Sequence, residues 1–518
     1  MNHILKITSA AAAGIPAVIA ASARDMEAAS RAEDGQGHSL PNIILIMTDQ
    51  QRGDALGCTG DGTVITPHLD SLAAAGYNFT AAYSSTPSST PARAGLLTGC
   101  SPWNHGMLGY GNQAEKYPYE MPSMLKDAGY SALAVGKMHY YPQFNTHGFD
   151  LVLFDESGRH TTEYFESDYR KWFRTRCFGE NPDKTGITWN EHRASAYKLP
   201  EELHPTRWTG DMAVEMIEGY RQDKPLFLKV SFARPHSPYD PPRRFLDMYE
   251  GRTAPSPAIG DWEPEEWREL KDPASDKAAF IGNFGEEYAR NSRIHYYANI
   301  TFIDEEIGRI LNALKEKGMY DNSLIIFISD HGDMLGDHFL WRKTYAYEGS
   351  SAIPFIIKLP EGCAAELPAG SEIDAPVELR DVLPTFLDIT GSEQPEGMDG
   401  MSVLPLICCG NPSWREYIDL EHARIYWDEN SWTALTDGHI KYIWHCATGK
   451  EQLFDLDSDP GETRDLSGDR KYRKTLGKMR SAMVSHLSVR GPEWVKDGKL
   501  VIRKEKQVYG PNFPEREE

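Results

Sequence analysis

The chain is predicted to fold as an α/β protein, a large and mostly parallel sheet sandwiched by helices, followed by a smaller C-terminal antiparallel α+β subdomain. Three observations point there. Four apolar runs, 42–47, 132–135, 226–232 and 324–329, each pass directly into a polar, chemically capable cluster. Helical periodicity fills the intervals between them, as a βα-alternating chain requires. Beyond about Asn411 the pattern changes to Trp, Tyr and charged residues in alternation, the signature of half-exposed antiparallel strands.

Taken in order, Met1 to Ala23 reads as a secretory signal peptide, with Lys6, an Ala-rich apolar run and a small-x-small site at Ala21-Ser22-Ala23. Residues 24–40 are polar and Gly-containing and read as a linker. The unit 41–411 opens with the run Asn42-Ile-Ile-Leu-Ile-Met47, too uniformly apolar for a one-sided strand and so buried on both faces. It ends in Thr48-Asp49-Gln50-Gln51-Arg52. Thr66-Pro67 start a helix that closes near Gly76, because proline at the first helical position wastes no donor. The second run ends in Gly136-Lys137-Met138-His139 and the third in Ala233-Arg234-Pro235-His236. Ile300, Ile303, Ile307, Ile310, Leu311 and Leu314 share one face of a helix between Ile294 and Lys317. This helix feeds the fourth run, which ends in Asp330-His331-Gly332-Asp333. Residues 354–358 and 379–390 are expected as further elements of the same layer. The unit 412–518 contains the alternating segments 432–435, 441–444 and 452–455 and then a helix. Polar groups at the carboxyl ends of buried parallel strands are where such sheets place ligands, so one edge of the sheet is the expected site.

With 76 acidic and 54 basic residues the formal net charge is −22, which gives nucleic acids or long polyanions no general attraction. An anionic ligand therefore needs a local cluster of cations. The seven cysteines have no metal-type spacing, and their odd number leaves at least one thiol free. Cys58 and Cys100 flank the most distinctive segment, and the sequence leaves their pairing open. Apart from the leader, no stretch is apolar enough to span a membrane.

That segment is Ser88-Ser89-Thr90-Pro91-Ala92-Arg93, followed by Ala94-Gly95-Leu96-Leu97-Thr98-Gly99. Pro91 in a first helical turn puts Ser89 at the helix mouth, where free N–H groups and the dipole favour an anion, and places Arg93 on the same turn. The string resembles the type I sulfatase signature, Cys/Ser-x-Pro-x-Arg followed by an apolar pair and Thr-Gly, in its serine form. The resemblance extends over nearly the whole chain after the leader, through the segments Glu378 to Asp388 and Leu453 to Glu462. It implies the alkaline-phosphatase/sulfatase-like fold.

It further implies that Ser89 is oxidised to formylglycine, whose hydrate is the nucleophile, and that calcium is held by Asp49, Gln50, Asp330, His331 and the modified Ser89. Gln50 departs from the commonest pattern, which has Asp there. Arg93 and the metal would lower the pKa of the attacking hydroxyl. Lys137 and Lys343 would hold sulfate oxygens, His236 would protonate the leaving oxygen, and His139 would act as the base that releases sulfate. Oxidation of serine, as opposed to cysteine, implies a radical-type sulfatase-maturating enzyme as partner and a bacterial, periplasmic or secreted location. A substitution of Cys by Ser to trap an inactive form is the competing explanation of Ser89. The substrate expected is a sulfated saccharide, with Trp427, Trp432, Trp444, His422, Tyr140 and Tyr141 as candidates to line a sugar subsite. The competing functions are a phosphonate or phosphate ester hydrolase of the same superfamily and a non-catalytic binding protein with unmodified Ser89.

Overall fold

The computed structural model describes residues 40–60, 62–160, 162–409 and 413–514. The leader and nearly all of the linker expected before Leu40 lie outside them. Eight strands form the main sheet: β1 (Asn42–Asp49), β2 (Tyr77–Phe79), β3 (Ser131–Gly136), β4 (Leu151–Phe154), β5 (Leu226–Pro235), β6 (Ser323–Ser329), β7 (Phe355–Lys358) and β8 (Ser371–Ile373). Their order across the sheet is β4-β3-β5-β1-β6-β7-β2-β8. All neighbours are parallel except β7, which runs antiparallel to both β6 and β2.

The centre of the sheet is where the sequence is most uniformly apolar. Residues Ile43 to Met47 and Leu324 to Ile328 have no exposed surface. One face packs on helices α1 (Pro67–Ala75), α3 (Pro205–Gly219) and α4 (Glu286–Glu316) through Leu69, Trp208, Met212, Ile303 and Ile307. The other packs on α2 (Ser89–Thr98) and α5 (Val382–Ile389) through Ala92, Leu96, Val382 and Phe386. The segment 379–390 is thus a 3-10 turn and helix on a sheet face, and not a strand of the sheet.

Register creates the functional edge. β1 pairs with β6 from Asn42↔Ser323 to Thr48↔Ser329, so Asp49 and Asp330 leave adjacent strands at the same level. On its other side β1 pairs with β5, and an irregularity after Met47 brings Asp49 opposite Pro235. At the end of β3, Gly136 has φ 101, and a Cβ there would lie 2.0 Å from the Ser231 carbonyl oxygen. Only glycine lets the chain turn so closely over β5 and deliver Lys137 to the same edge.

The C-terminal subdomain is a four-stranded antiparallel sheet, β9 (Ile418–His422), β10 (Trp432–Thr436), β11 (Ile440–His445) and β12 (Glu451–Asp455), with α6 (Arg473–Ser488) packed against it. All seven cysteines are free, so Cys58 and Cys100 form no bridge. Among the described residues no helix is long and apolar enough to cross a membrane.

Candidate active site

Asp49, from β1, and Asp330 and His331, from β6, offer ligand atoms within 4.8 Å of one another, and all three are buried. Arg93 ties the strand ends to α2. Its Nε donates to Asp330 Oδ2 at 2.9 Å, one terminal nitrogen donates to Asp49 Oδ2 at 3.1 Å, and the other reaches Ser231 Oγ and the Lys137 carbonyl. Lys137 Nζ lies 2.5 Å from Asp49 Oδ2. Burial alone would raise the Asp49 carboxyl pKa, but Lys137, then His236 and Arg93, outweigh it and hold the group well below the usual carboxylate range. Asp49 Oδ1 is buried with no partner, an orphan acceptor aimed at the same point. Two carboxylates, one with an uncompensated oxygen, fit a hard divalent cation.

Ser89, the first residue of α2, brings its hydroxyl to 3.0 Å from His331 Nε2. His331 Nδ1 donates to the Gly332 carbonyl, so Nε2 carries the lone pair. Gln50 sits in a left-handed conformation, φ 70, with its N–H on Asp330 Oδ1 at 3.0 Å. Its amide nitrogen donates to Asp333, and its amide oxygen, the ligand atom it has to offer, accepts from Lys343 Nζ at 2.6 Å.

Lys343 also donates to His236 Nε2 at 2.7 Å, while His236 Nδ1–H goes to the Ser237 carbonyl at 2.9 Å. Burial, then the charges of Lys343 and Lys137, push the His236 pKa well down, so the ring is neutral. Burial likewise lowers Lys343 to about 7. In this arrangement Lys343 donates to the ring nitrogen of the histidine expected to share in protonating the leaving oxygen.

His139 has φ 61, and its N–H and that of Met138 both donate to Glu156 Oε1, at 2.9 and 3.1 Å. Glu156 Oε2 holds Arg159, whose guanidinium also meets His139 Nε2. With that lone pair engaged, His139 accepts a proton only once Arg159 moves off it. Burial, then Arg159, drive its pKa well down.

The structure thus brings together all of Asp49, Gln50, Ser89, Arg93, Lys137, His139, His236, Asp330, His331 and Lys343. It adds Glu156, Arg159, Ser231 and Asp333, which sequence reading missed. Glu156 had a usable signal, since β4 ends in Asp155-Glu156 just as the other strands end in polar pairs. The expected sugar-lining residues divide. Tyr140 and Trp432 are buried and belong to the core, and His422 is buried with Nε2 3.0 Å from Ser88 Oγ. Trp427 and Trp444 are half-buried. Among the exposed aromatics Tyr110 lies edge-on to His139 at 6.3 Å.

Residues 41–392 match the family described as Sulfatase, and residues 336–488 match the C-terminal family of N-sulphoglucosamine sulphohydrolase. The chain is 37% identical to an arylsulfatase of Clostridium perfringens, with 89% of this chain and 97% of that one covered. It is 32% identical to a choline-sulfatase of Rhizobium meliloti, with 82% of each covered. It is 29% identical to an ulvan-active sulfatase of Formosa agariphila, with 92% of this chain and 86% of that one covered.

Proposed function

This chain belongs to the sulfatase family, whose reaction is the hydrolysis of sulfuric esters, and we propose that it is an exported bacterial enzyme, periplasmic or secreted, that removes O-sulfate from a carbohydrate. The observation that supports this most is the convergence of Arg93, Lys137 and Lys343 with Ser89 and two buried carboxylates at one point of a molecule that is otherwise strongly negative. A sulfate monoester shields its sulfur with anionic oxygens, so its hydrolysis demands local positive charge, a strong nucleophile and a proton for the departing alcohol.

In our reading Ser89 is oxidised to formylglycine by a radical-type sulfatase-maturating enzyme, and its hydrate supplies one hydroxyl for attack and a second whose deprotonation frees sulfate. Asp49, Asp330, His331 and the Gln50 amide oxygen would hold a cation, calcium by the donor chemistry, which supplies positive charge beside residue 89. Arg93 bridges both carboxylates and fixes them. Lys137 and Lys343 neutralise sulfate oxygens, and the Lys343–His236 pair delivers the proton to the leaving alcohol. Glu156 holds His139 in its strained turn, and release of Arg159 frees that ring to take a proton from residue 89. An ordinary serine has no second hydroxyl and would stay blocked as its sulfate ester.

The three relatives are named for different alcohols, an aryl group, choline and ulvan, so membership alone does not choose among them. The carbohydrate reading is supported by the ulvan-active relative. The test is co-expression with a maturase, mass measurement of the peptide containing Ser89, and release assays on sulfated saccharides, aryl sulfate, choline sulfate and an aryl phosphonate. A loss of about 2 Da with sulfate release from saccharides is expected, since oxidation of an alcohol to an aldehyde removes two hydrogens. Unmodified serine in native protein, or release from the phosphonate alone, would overturn the reading.

A further inference from the structure

Beside His236 a narrow cleft is lined by Gln50, Asn190, Glu191, His192, Trp341 and Arg342. It flanks the Lys343–His236 pair. Most of its polar groups are already committed. His192 Nδ1 lies 2.7 Å from the Tyr288 hydroxyl and Nε2 lies 2.9 Å from the Asp276 carbonyl. The Glu191 carboxylate accepts from the Thr188 N–H at 3.1 Å and from Arg193. Asp333, close behind, accepts from Tyr239, Gln50 and the backbone N–H groups of Leu335 and Arg342.

Arg342 is the exception. Arg52, Arg93, Arg234 and Arg293 each close an ion pair with a buried carboxylate. Among the described residues no carboxylate pairs with the Arg342 guanidinium, and its Nε is buried without a partner. Its Cζ lies 5.5 Å from the ring centroid of Tyr426. Its backbone, at φ 68, is fixed by Asp333 on the N–H side at 3.0 Å and by Met334 on the carbonyl side at 2.7 Å. A half-buried guanidinium kept free of acids yet stacked and pinned is costly unless an anion completes it. Its planar fork matches a carboxylate or a sulfate.

We propose that Arg342 is a specificity-determining residue that binds a second oxyanion on the leaving alcohol, so that the substrate is a saccharide carrying a carboxylate or a further sulfate next to the ester that is cleaved. This rests on the sulfatase reading. It accounts for how a chain of net charge −22 selects a multiply charged sugar: the attraction is confined to the cleft.

The test is calorimetric binding to the chain with Ser89 unmodified, which cannot turn over, using D-glucosamine 6-O-sulfate, D-glucosamine N,6-O-disulfate and a monosulfated disaccharide containing a uronate. The wild-type chain is expected to bind one or both dianionic sugars about tenfold or more tightly than the monosulfate, as a charge-assisted fork to an oxyanion would give. The disulfate and uronate arms separate the two sources of the anion. Arg342→Gln should remove that preference, and Arg342→Lys should retain part of it, with unchanged melting temperatures showing that both variants fold. Equal loss of all ligands in Arg342→Gln, or no preference in the wild type, overturns the subsite while leaving the sulfatase reading standing. Failure to bind any sulfated sugar, with sulfate release seen only from aryl or choline esters, overturns the carbohydrate reading and the subsite with it.

Discussion

The floor of the site and its alcohol-side wall differ in where their side chains come from. On the floor, Asp49, Asp330, Lys137 and Ser231 stand at or just beyond the ends of central strands, are buried, and are cross-linked through Arg93. On the wall, Arg342, Asn190 and Tyr426 come from irregular segments, are only partly buried, and include a guanidinium with no acid partner. A strand end held by register on both sides has no freedom to vary without moving the sheet, whereas a loop side chain changes without disturbing its neighbours. The floor therefore suits chemistry that is common to esters of very different alcohols, and the wall suits the choice among them.

The sharpest way to break this comparison is on the floor. Asp330→Asn removes one of two carboxylates facing Arg93 and one ligand of the cation site, leaving Arg93 paired with Asp49 alone. Sulfate release by matured protein is expected to fall by at least ~10³-fold for every ester, aryl or saccharide, together with bound metal measured by elemental analysis. A loss that depended strongly on the alcohol would show that the floor, too, selects substrates. Lys343→Ala stands one step closer to the wall. It removes the donor that serves both His236 and Gln50. A fall in kcat of about 10²–10³-fold is expected, since general-acid groups contribute on that order. The fall should be greater for a sugar ester than for a nitrophenyl ester, whose leaving oxygen needs no proton, and an equal fall would place Lys343 in sulfate binding alone.

The same contrast explains what was legible in the sequence. Strands β1, β3, β5 and β6 announced themselves because burial on both faces leaves an uninterrupted apolar run, and the polar residues that follow such a run had to lie at one edge. Lys137, His139 and His236 were found by that logic, and Ser89, Arg93 and Lys343 by the family resemblance. The short strands β2, β4 and β8 were missed because three or four residues are too few to show a period. Segment 379–390 was placed in the sheet layer because an apolar run of that length reads as strand or buried helix alike. Arg159 and Asp333 act across space, on the His139 ring and on Tyr239 and Gln50, and nothing in their local sequence records those partners. Tyr426 was invisible for the same reason, since its relation to Arg342 spans two subdomains.

The smallest expected effect concerns how the wall is held up. Tyr426 follows β9, and β9 is fastened to the main body by Asp419, whose Oδ1 accepts from Arg380 at 2.7 Å and whose Oδ2 lies 3.6 Å from His486. Burial would raise the Asp419 pKa, but Arg380 and then His486 hold it below the usual carboxylate range. A carboxyl whose folded pKa is depressed stabilises the fold fully above its unfolded pKa of about 4 and loses that contribution as pH falls below it. Asp419→Asn keeps an acceptor but no charge, and Arg380 retains Glu378, so a cost of about 1–2 kcal/mol is expected at pH 7. In thermal melts this is a drop of about 2–4 °C, shrinking toward zero as the pH is taken from 7 to below 4. Activity on aryl sulfate should be retained, because neither partner of Asp419, Arg380 or His486, belongs to the floor. A variant that melts normally but loses aryl sulfatase activity would show that the two regions are mechanically one.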